Sequence, residues 1–246
     1  FAPLFRAAFA ACVIAAAAPV AAQSLTAAQK SEFDGVIKDY LMRNPEVLRD
    51  ALIELQRKEK AAETAARAKI IADPSSPLFT SAHQAVIGNP NGKLVVVEFF
   101  DYNCGYCKKA VGDLATLLKT EPELKVILKD FPVLGPKSLE AAEVALAVKT
   151  FLKGDKFFDF HQKLLASRGQ VGRAQALAVA KEAGVDMAKL DAELAKPALR
   201  AGLSESLELG DSLGLTGTPS YIVGQEVVVG AVGLDEMKAK LASARK

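Results

Sequence analysis

Cys104 and Cys107 stand two residues apart in Cys104-Gly105-Tyr106-Cys107, a spacing that serves disulfide exchange, zinc binding and haem attachment. A structural zinc site needs about four ligands. Past residue 22 the chain offers only these two cysteines, with His83 and His161, which lie far apart in sequence. Lys108 follows Cys107, so the Cys-x-x-Cys-His form of haem attachment is absent. The thiol–disulfide reading gains by elimination, with no zinc, no haem and no cofactor expected.

Position favours the same chemistry. Leu94-Val95-Val96-Val97-Glu98-Phe99-Phe100 is an apolar run suited to a central strand buried on both faces, with Glu98 its one oddity. Leu114, Leu117 and Leu118 follow at helical spacing. Cys104 is therefore expected where a strand ends and a helix begins. A thiolate there faces unpaired backbone N–H groups and the positive end of the helix dipole, which make it a better nucleophile and a better leaving group. Cys104 is the expected attacking thiol, and Cys107, one turn inside, is expected to resolve the mixed disulfide. Lys108 and Lys109 either add to this positive field or are ordinary solvated lysines.

The elements that must hold this pair follow from the rest of the chain. Val126-Ile127-Leu128 supplies the next strand and completes a strand–helix–strand unit. From residue 138 to residue 213 the signal is almost wholly helical, divided at Gly154, at Arg168-Gly169-Gln170, at Gly184 and at Pro197. Pro219-Ser220-Tyr221-Ile222-Val223, the turn at Gly224-Gln225 and Val227-Val228-Val229 read as a hairpin, with a closing helix from about Leu234. Strands on both sides of a helical block predict an α/β fold with one sheet, interrupted by a helical insertion at about 138–214. His161 reads as a polar residue on the surface of that insertion, and the phenylalanines beside it as core.

At the other end, Arg6 precedes an Ala-rich apolar run over residues 7–18, and small residues lead to Gln23, the pattern of a secretory signal peptide cut after Ala22. Its loss would remove Cys12 and leave the reactive pair alone. Thr26-Ala27-Ala28-Gln29 has the form of a helical capping box. Phe33, Val36, Ile37, Tyr40 and Leu41 make one apolar stripe, and Asn44-Pro45 starts a second helix with Leu48, Leu52 and Leu55 on one side. Such a stripe needs a cover, either the C-terminal domain or other copies of the chain. Asp73-Pro74-Ser75-Ser76-Pro77 reads as a linker, which favours self-association through residues 26–71. With half its residues hydrophobic and a net charge of +2, the chain has room for one good core with an extension and gives no reason to expect a nucleic-acid partner.

Val97-Glu98-Phe99-Phe100-Asp101-Tyr102-Asn103-Cys104-Gly105-Tyr106-Cys107, the long helical block and Gly217-Thr218-Pro219 together resemble the DsbA family of periplasmic thioredoxin-fold proteins, from about Leu78 to the end. The resemblance implies a thioredoxin fold with a helical insertion, preceded by an N-terminal helical stalk. The chain then divides into a signal peptide at 1–22, a helical oligomerisation stalk and linker at 23–73, and a DsbA-like domain at 74–246. The resemblance also implies that Pro219 is cis, that the Thr218 backbone pairs with the substrate chain, and that Gly105 and Tyr106 border the substrate. Glu98 occupies the place of the family's buried acid, which assists proton transfer at the inner cysteine; the alternative reading is a strand residue at a partly exposed strand end. Gly105-Tyr106 departs from the Pro-His of strongly oxidising members, so no histidine adds charge there. Asn44-Pro45-Glu46-Val47-Leu48 and the helix after it resemble the stalk of the ScsC (suppressor of copper sensitivity) type, DsbA-like domains that can assemble as trimers with associated isomerase activity.

Three functions fit. In a periplasmic disulfide isomerase or reductase, the stalk would gather several domains around one unfolded or misfolded exported protein, and a membrane electron donor would keep the pair reduced. A dithiol oxidase would need the domain alone. A copper-sequestering protein would use both thiolates as soft ligands for Cu(I), which leaves Thr218-Pro219 without a purpose.

Overall fold

The computed structural model describes residues 26–245, so the expected signal peptide at 1–22 and Cys12 lie outside the described residues. Thr26 opens α1 (Ala27–Arg43) with the expected capping box: the Gln29 N–H donates to Thr26 Oγ1 at 3.3 Å, and the Thr26 N–H donates to Gln29 Oε1 at 3.0 Å. Asn44 closes it by donating its backbone and side-chain N–H groups to the Tyr40 carbonyl. Pro45 then takes the first position of α2 (Pro45–Ala72), where its missing N–H costs nothing. The chain divides into two compact units between Gln56 and Arg57, inside α2. In the first unit no residue of α1 is buried, and Phe33, Val36, Ile37, Tyr40, Leu48, Leu52 and Leu55 are 50–59% exposed.

In the second unit the end of α2 belongs to the core, because Ile71 is buried among Leu78, Phe99, Ile127 and Leu213. The segment expected as a linker is a fixed turn. Asp73 Oδ1 accepts from the Ser75 N–H and hydroxyl, and Ser76 caps α3 (Pro77–Thr80) by accepting from the Leu78 N–H. Lys129 clamps it, donating from Nζ to the Pro77 carbonyl at 2.6 Å.

Five strands follow, β1 (Ala85–Gly88), β2 (Leu94–Phe100), β3 (Leu124–Asp130), β4 (Ser220–Val223) and β5 (Glu226–Val229), in the order β1-β3-β2-β4-β5. β2 and β3 are parallel and joined by α4 (Gly105–Thr120), and the other pairings are antiparallel. Alternation along β2 sorts its side chains: Val96 and Phe100 enter the larger core with Leu114 and Leu117 of α4, while Val97 and Phe99 enter the smaller one with Ile71. β1 was not expected, since four residues on a sheet edge carry too little period to read.

The helical insertion lies between β3 and β4 as α5 (Pro136–Val148), α6 (Gly154–Leu165), α7 (Arg173–Glu182), α8 (Met187–Leu194) and α9 (Pro197–Ser212), and α10 (Leu234–Ala244) closes the chain. Its breaks fall where the glycines and Pro197 place them. Gly154, Gly169 and Gly184 all have positive φ, a conformation that disfavours residues with a Cβ.

Candidate active site

Between β2 and α4 the backbone turns through Asp101-Tyr102-Asn103, and a buried carboxylate organises that turn. Asp101 Oδ1 accepts from the Asn103 N–H at 2.8 Å and the Ser138 hydroxyl at 2.7 Å, Oδ2 accepts from the Leu134 N–H at 3.0 Å, and the Asp101 carbonyl accepts from the Cys104 N–H at 3.0 Å. Asn103 ties the turn to the insertion, with Nδ2 donating to the Val171 carbonyl and Oδ1 accepting from the Val171 N–H. Beneath the turn, Tyr102 shares a 3.2 Å hydrogen bond with Nδ1 of His161. His161 is buried against Phe100, Phe157 and Phe158, not on the insertion surface as expected. The reason is its phase: Phe157, His161, Leu164 and Leu165 recur at helical spacing and share the buried stripe of α6. Burial pulls the imidazole down to about 3, so it is neutral.

Held this way, Cys104 is the N-cap of α4 and Cys107 lies one turn inside, and both are free thiols. Cys104 is 6% exposed and Cys107 1%. The Cys104 thiol donates to the Thr218 carbonyl at 3.1 Å. The Thr218-Pro219 peptide bond is cis, Thr218 is half-buried and Pro219 is buried. Ser220 Oγ donates to the Gly217 carbonyl, and the Gly230 N–H donates to the Pro219 carbonyl, which fix this loop at the head of the β4–β5 hairpin. Gly105 is exposed, and Tyr106 is 64% exposed with the Lys109 ammonium 5.8 Å from its ring centroid. Lys108 donates from Nζ to the Ser167 carbonyl at 3.0 Å, so its charge is held on the insertion side of the site.

Glu98 is 3% exposed and stands opposite Tyr221 in the β2–β4 ladder. Burial pushes its carboxyl up from an ordinary 4.5 to about 8, and the Tyr221 side chain draws it part of the way back. Burial also pushes the Cys107 thiol up strongly. The Asp101 backbone opposes that rise, and Glu98 and Cys104 add to it. Cys107 therefore stays protonated unless a base takes its proton, and the Glu98 carboxyl, which titrates at about 8, lies in the same electrostatic neighbourhood.

Comparison with known proteins places this arrangement. The model for a DSBA-like thioredoxin domain matches residues 95–242. The chain belongs to this family. A second model, the copper resistance protein ScsC N-terminal domain, matches residues 29–62, so the DSBA-like domain follows an ScsC-type segment. A solved linker-deletion mutant of Proteus mirabilis ScsC is 28% identical with a TM-score of 0.68, covering 92% of this chain and 99% of its own. Thiol:disulfide interchange protein DsbA of Bordetella pertussis is 28% identical over 140 residues, which are 54% of this chain and 64% of that protein. Na(+)/H(+) antiporter NhaA 1 of Salinispora arenicola is 26% identical over 163 residues, 65% of this chain but 24% of the antiporter. The chain thus spans less than two thirds of the length of these two curated relatives.

The structure brings Cys104, Cys107, Thr218 and Pro219 of the DSBA-like domain together, with Glu98 buried in the strand that leads to the cysteines. Asp101, Asn103, Ser138 and Tyr221 were not singled out from sequence. An Asp two residues before Asn103, ahead of a helix, is a readable Asx-turn signal. The reach of Asp101 to Ser138 has no local signal.

The burial of Glu98 carries a stability signature. The native state holds the Glu98 proton more tightly than the unfolded chain, so its contribution is fully present below pH 4.5 and is lost as the pH rises through about 8. The loss is on the order of 3–5 kcal/mol by pH 9. Burial also shifts Asp130 up and Lys149 down, so the comparison that isolates Glu98 is between variants. Urea unfolding of the reduced protein at pH 5 and pH 9 is expected to show Glu98→Gln losing less stability over that interval than the wild type. Equal losses would show that Glu98 ionises freely.

Proposed function

We propose that this protein is a periplasmic thiol–disulfide oxidoreductase that acts as a disulfide isomerase or reductase on unfolded or misfolded exported proteins. The observation that carries the reading is the Cys104 thiol at the N-cap of α4, 3.1 Å from the Thr218 carbonyl, with the second thiol one turn inside. In the reduced protein the Cys104 thiolate attacks one sulfur of a substrate disulfide. A Cys104–substrate disulfide forms, the substrate S–S bond breaks, and a substrate thiolate leaves. For isomerisation, a different substrate thiolate attacks the substrate sulfur of the mixed disulfide, so that a new substrate S–S bond forms, the Cys104–substrate bond breaks and the Cys104 thiolate is returned unchanged. For reduction, Cys107 gives its proton to Glu98 and attacks the Cys104 sulfur, releasing the second substrate thiolate and leaving a Cys104–Cys107 disulfide. A membrane reductase then supplies the two electrons that restore the dithiol.

The surroundings of the pair suit an unfolded chain. Tyr106, Val133, Leu134, Leu139, Val229 and Val232 are exposed apolar residues. Leu134 adjoins the site through Asp101, and Val229 through the Gly230–Pro219 hydrogen bond. In this reading the Thr218 backbone pairs with the substrate, and Gly105 and Tyr106 border it. The ScsC-type segment supports assembly into a trimer, and the family name it carries adds copper tolerance as the setting. Among the described residues no helix is long and apolar enough to cross a membrane. Export rests on the signal-peptide pattern at 1–22.

The direction is tested by supplying the reduced protein to a scrambled, disulfide-bonded substrate, and the oxidised protein to the same substrate reduced and unfolded, with the potential set by a glutathione titration. The isomerase reading expects faster recovery of native substrate from the scrambled form. Faster disulfide formation in the reduced substrate, without recovery of the scrambled one, would make the protein a dithiol oxidase.

A further inference from the structure

The surroundings of Tyr221 are unusual for a core tyrosine. It lies directly across the β2–β4 ladder from Glu98, so both side chains leave the same face of the sheet. Its hydroxyl feels the charges of Glu98 on β2 and of Cys107 and Asp113 on α4. Its other neighbours in register are apolar: Val228 faces it from β5, and Leu128 faces Glu98 from β3. Tyr221 lines a slot of about 20 Å³, room for a single water, with Asp113, Leu114, Val232 and Met237. Glu98 Oε2 is buried with no hydrogen-bond partner.

A buried carboxyl that must exchange a proton with a thiol has two requirements. It needs a fixed orientation, and its ionised form needs enough support to exist at working pH. A phenol donor answers both, because an O–H donor to one carboxylate oxygen fixes the group and favours its charge while leaving the other oxygen free. We propose that Tyr221 is a positioning residue for the resolving step: its phenol donates to the Glu98 carboxylate and holds the unpartnered Oε2 available to the Cys107 proton. This inference rests on the reading of Glu98 as the group that exchanges protons with Cys107.

The test uses the full-length protein with a mixed disulfide formed at Cys104, and follows its resolution by Cys107 from pH 5 to pH 10 in the wild type, Glu98→Gln and Tyr221→Phe. Tyr221→Phe is expected to move the midpoint of the profile upward by about one pH unit and to slow resolution at pH 7 about tenfold, since a carboxylate that loses a donor is ionised less often. Carbon-13 NMR of the Glu98 carboxyl is expected to show the same upward shift, independent of activity. If Glu98→Gln changes the profile while Tyr221→Phe reproduces the wild-type profile and carboxyl titration, the inference is wrong and Glu98 keeps its role. If Glu98→Gln also leaves the profile unchanged, the reading of Glu98 fails and that of Tyr221 falls with it. Should Tyr221→Phe not fold, fluorotyrosine at position 221 keeps the ring and strengthens the donor. The profile and the carboxyl midpoint are then expected to move downward, and no movement would overturn the proposal.

Discussion

Cys104→Ser is expected to abolish thiol–disulfide exchange, by more than about a thousandfold, because the serine hydroxyl cannot replace the thiolate as nucleophile or form the mixed disulfide. Cys107→Ser is expected to behave differently. Cys104 remains at the N-cap of α4 and still attacks, but nothing one turn inside can displace the substrate from it. Mixed disulfides should then accumulate, visible by mass spectrometry and released by added thiol. At neutral pH a single alkylating group should enter the reduced wild type through Cys104, the more exposed of the two, while Cys107 is protected by its raised titration and its burial. Alkylation first at Cys107, or trapping by Cys104→Ser, would reverse the assignment of the two roles.

Removal of residues 26–56 is expected to convert an oligomer, a trimer in the proposed reading, into a monomer that exchanges disulfides yet recovers scrambled substrates at least about tenfold more slowly. The stripe of Phe33, Val36, Ile37, Tyr40, Leu48, Leu52 and Leu55 is more than half covered in none of these residues within a single chain. Burying each large apolar side chain contributes on the order of 1.5–3 kcal/mol, so copies that cover one another's stripes gain substantially from assembly. Assembly raises the effective concentration of one active site for a substrate already held by another, which an isomerase exploits and a simple oxidase does not need. The deletion must stop before the end of α2, because Ile71 is part of the core formed with Leu78, Phe99 and Ile127. Sedimentation and a scrambled-substrate assay give the readouts. A deleted form that remains oligomeric, or an intact protein that is monomeric, would refute the assembly; a monomer that isomerises as well as the intact protein would give the stalk another purpose.

The features legible in the sequence are those set by residues close together in the chain. The capping box at Thr26 and Gln29, the helix start at Pro45, the breaks at Gly154, Gly184 and Pro197 and the hairpin turn at Gly224-Gln225 all depend on local backbone chemistry, and each lies where it was expected. Cys104 at a strand-to-helix junction is of the same kind, because an apolar run followed by a helical period defines the junction. Linker chemistry misled where a tertiary partner intervened: Pro and Ser in 73–77 suit a flexible segment equally well, and Lys129 and the burial of Ser76 add to the local Asp73 and Ser76 hydrogen bonds that make it a fixed turn.

The tertiary structure alone decided what surrounds each polar group. Ionisation of a buried acid depends on how completely water is removed and on which residue stands opposite, and neither is written near Glu98; the burial comes from packing on both faces of β2, and the residue opposite, Tyr221, comes from β4, after the whole helical insertion. The same holds for Asp101, whose partner Ser138 lies on α5, and for Asn103, whose partner is Val171. His161 was misplaced for this reason: a polar side chain on a helix reads as solvated unless the phase of its neighbours is followed into a core, where Tyr102 supplies its hydrogen bond. Sequence by itself determined the position of the two cysteines at the start of α4 and the order of elements around them, because those follow from local period and spacing. Folding determined the surroundings of that pair, because desolvation and hydrogen-bond partners are properties of segments far apart in the chain that meet only in the packed structure.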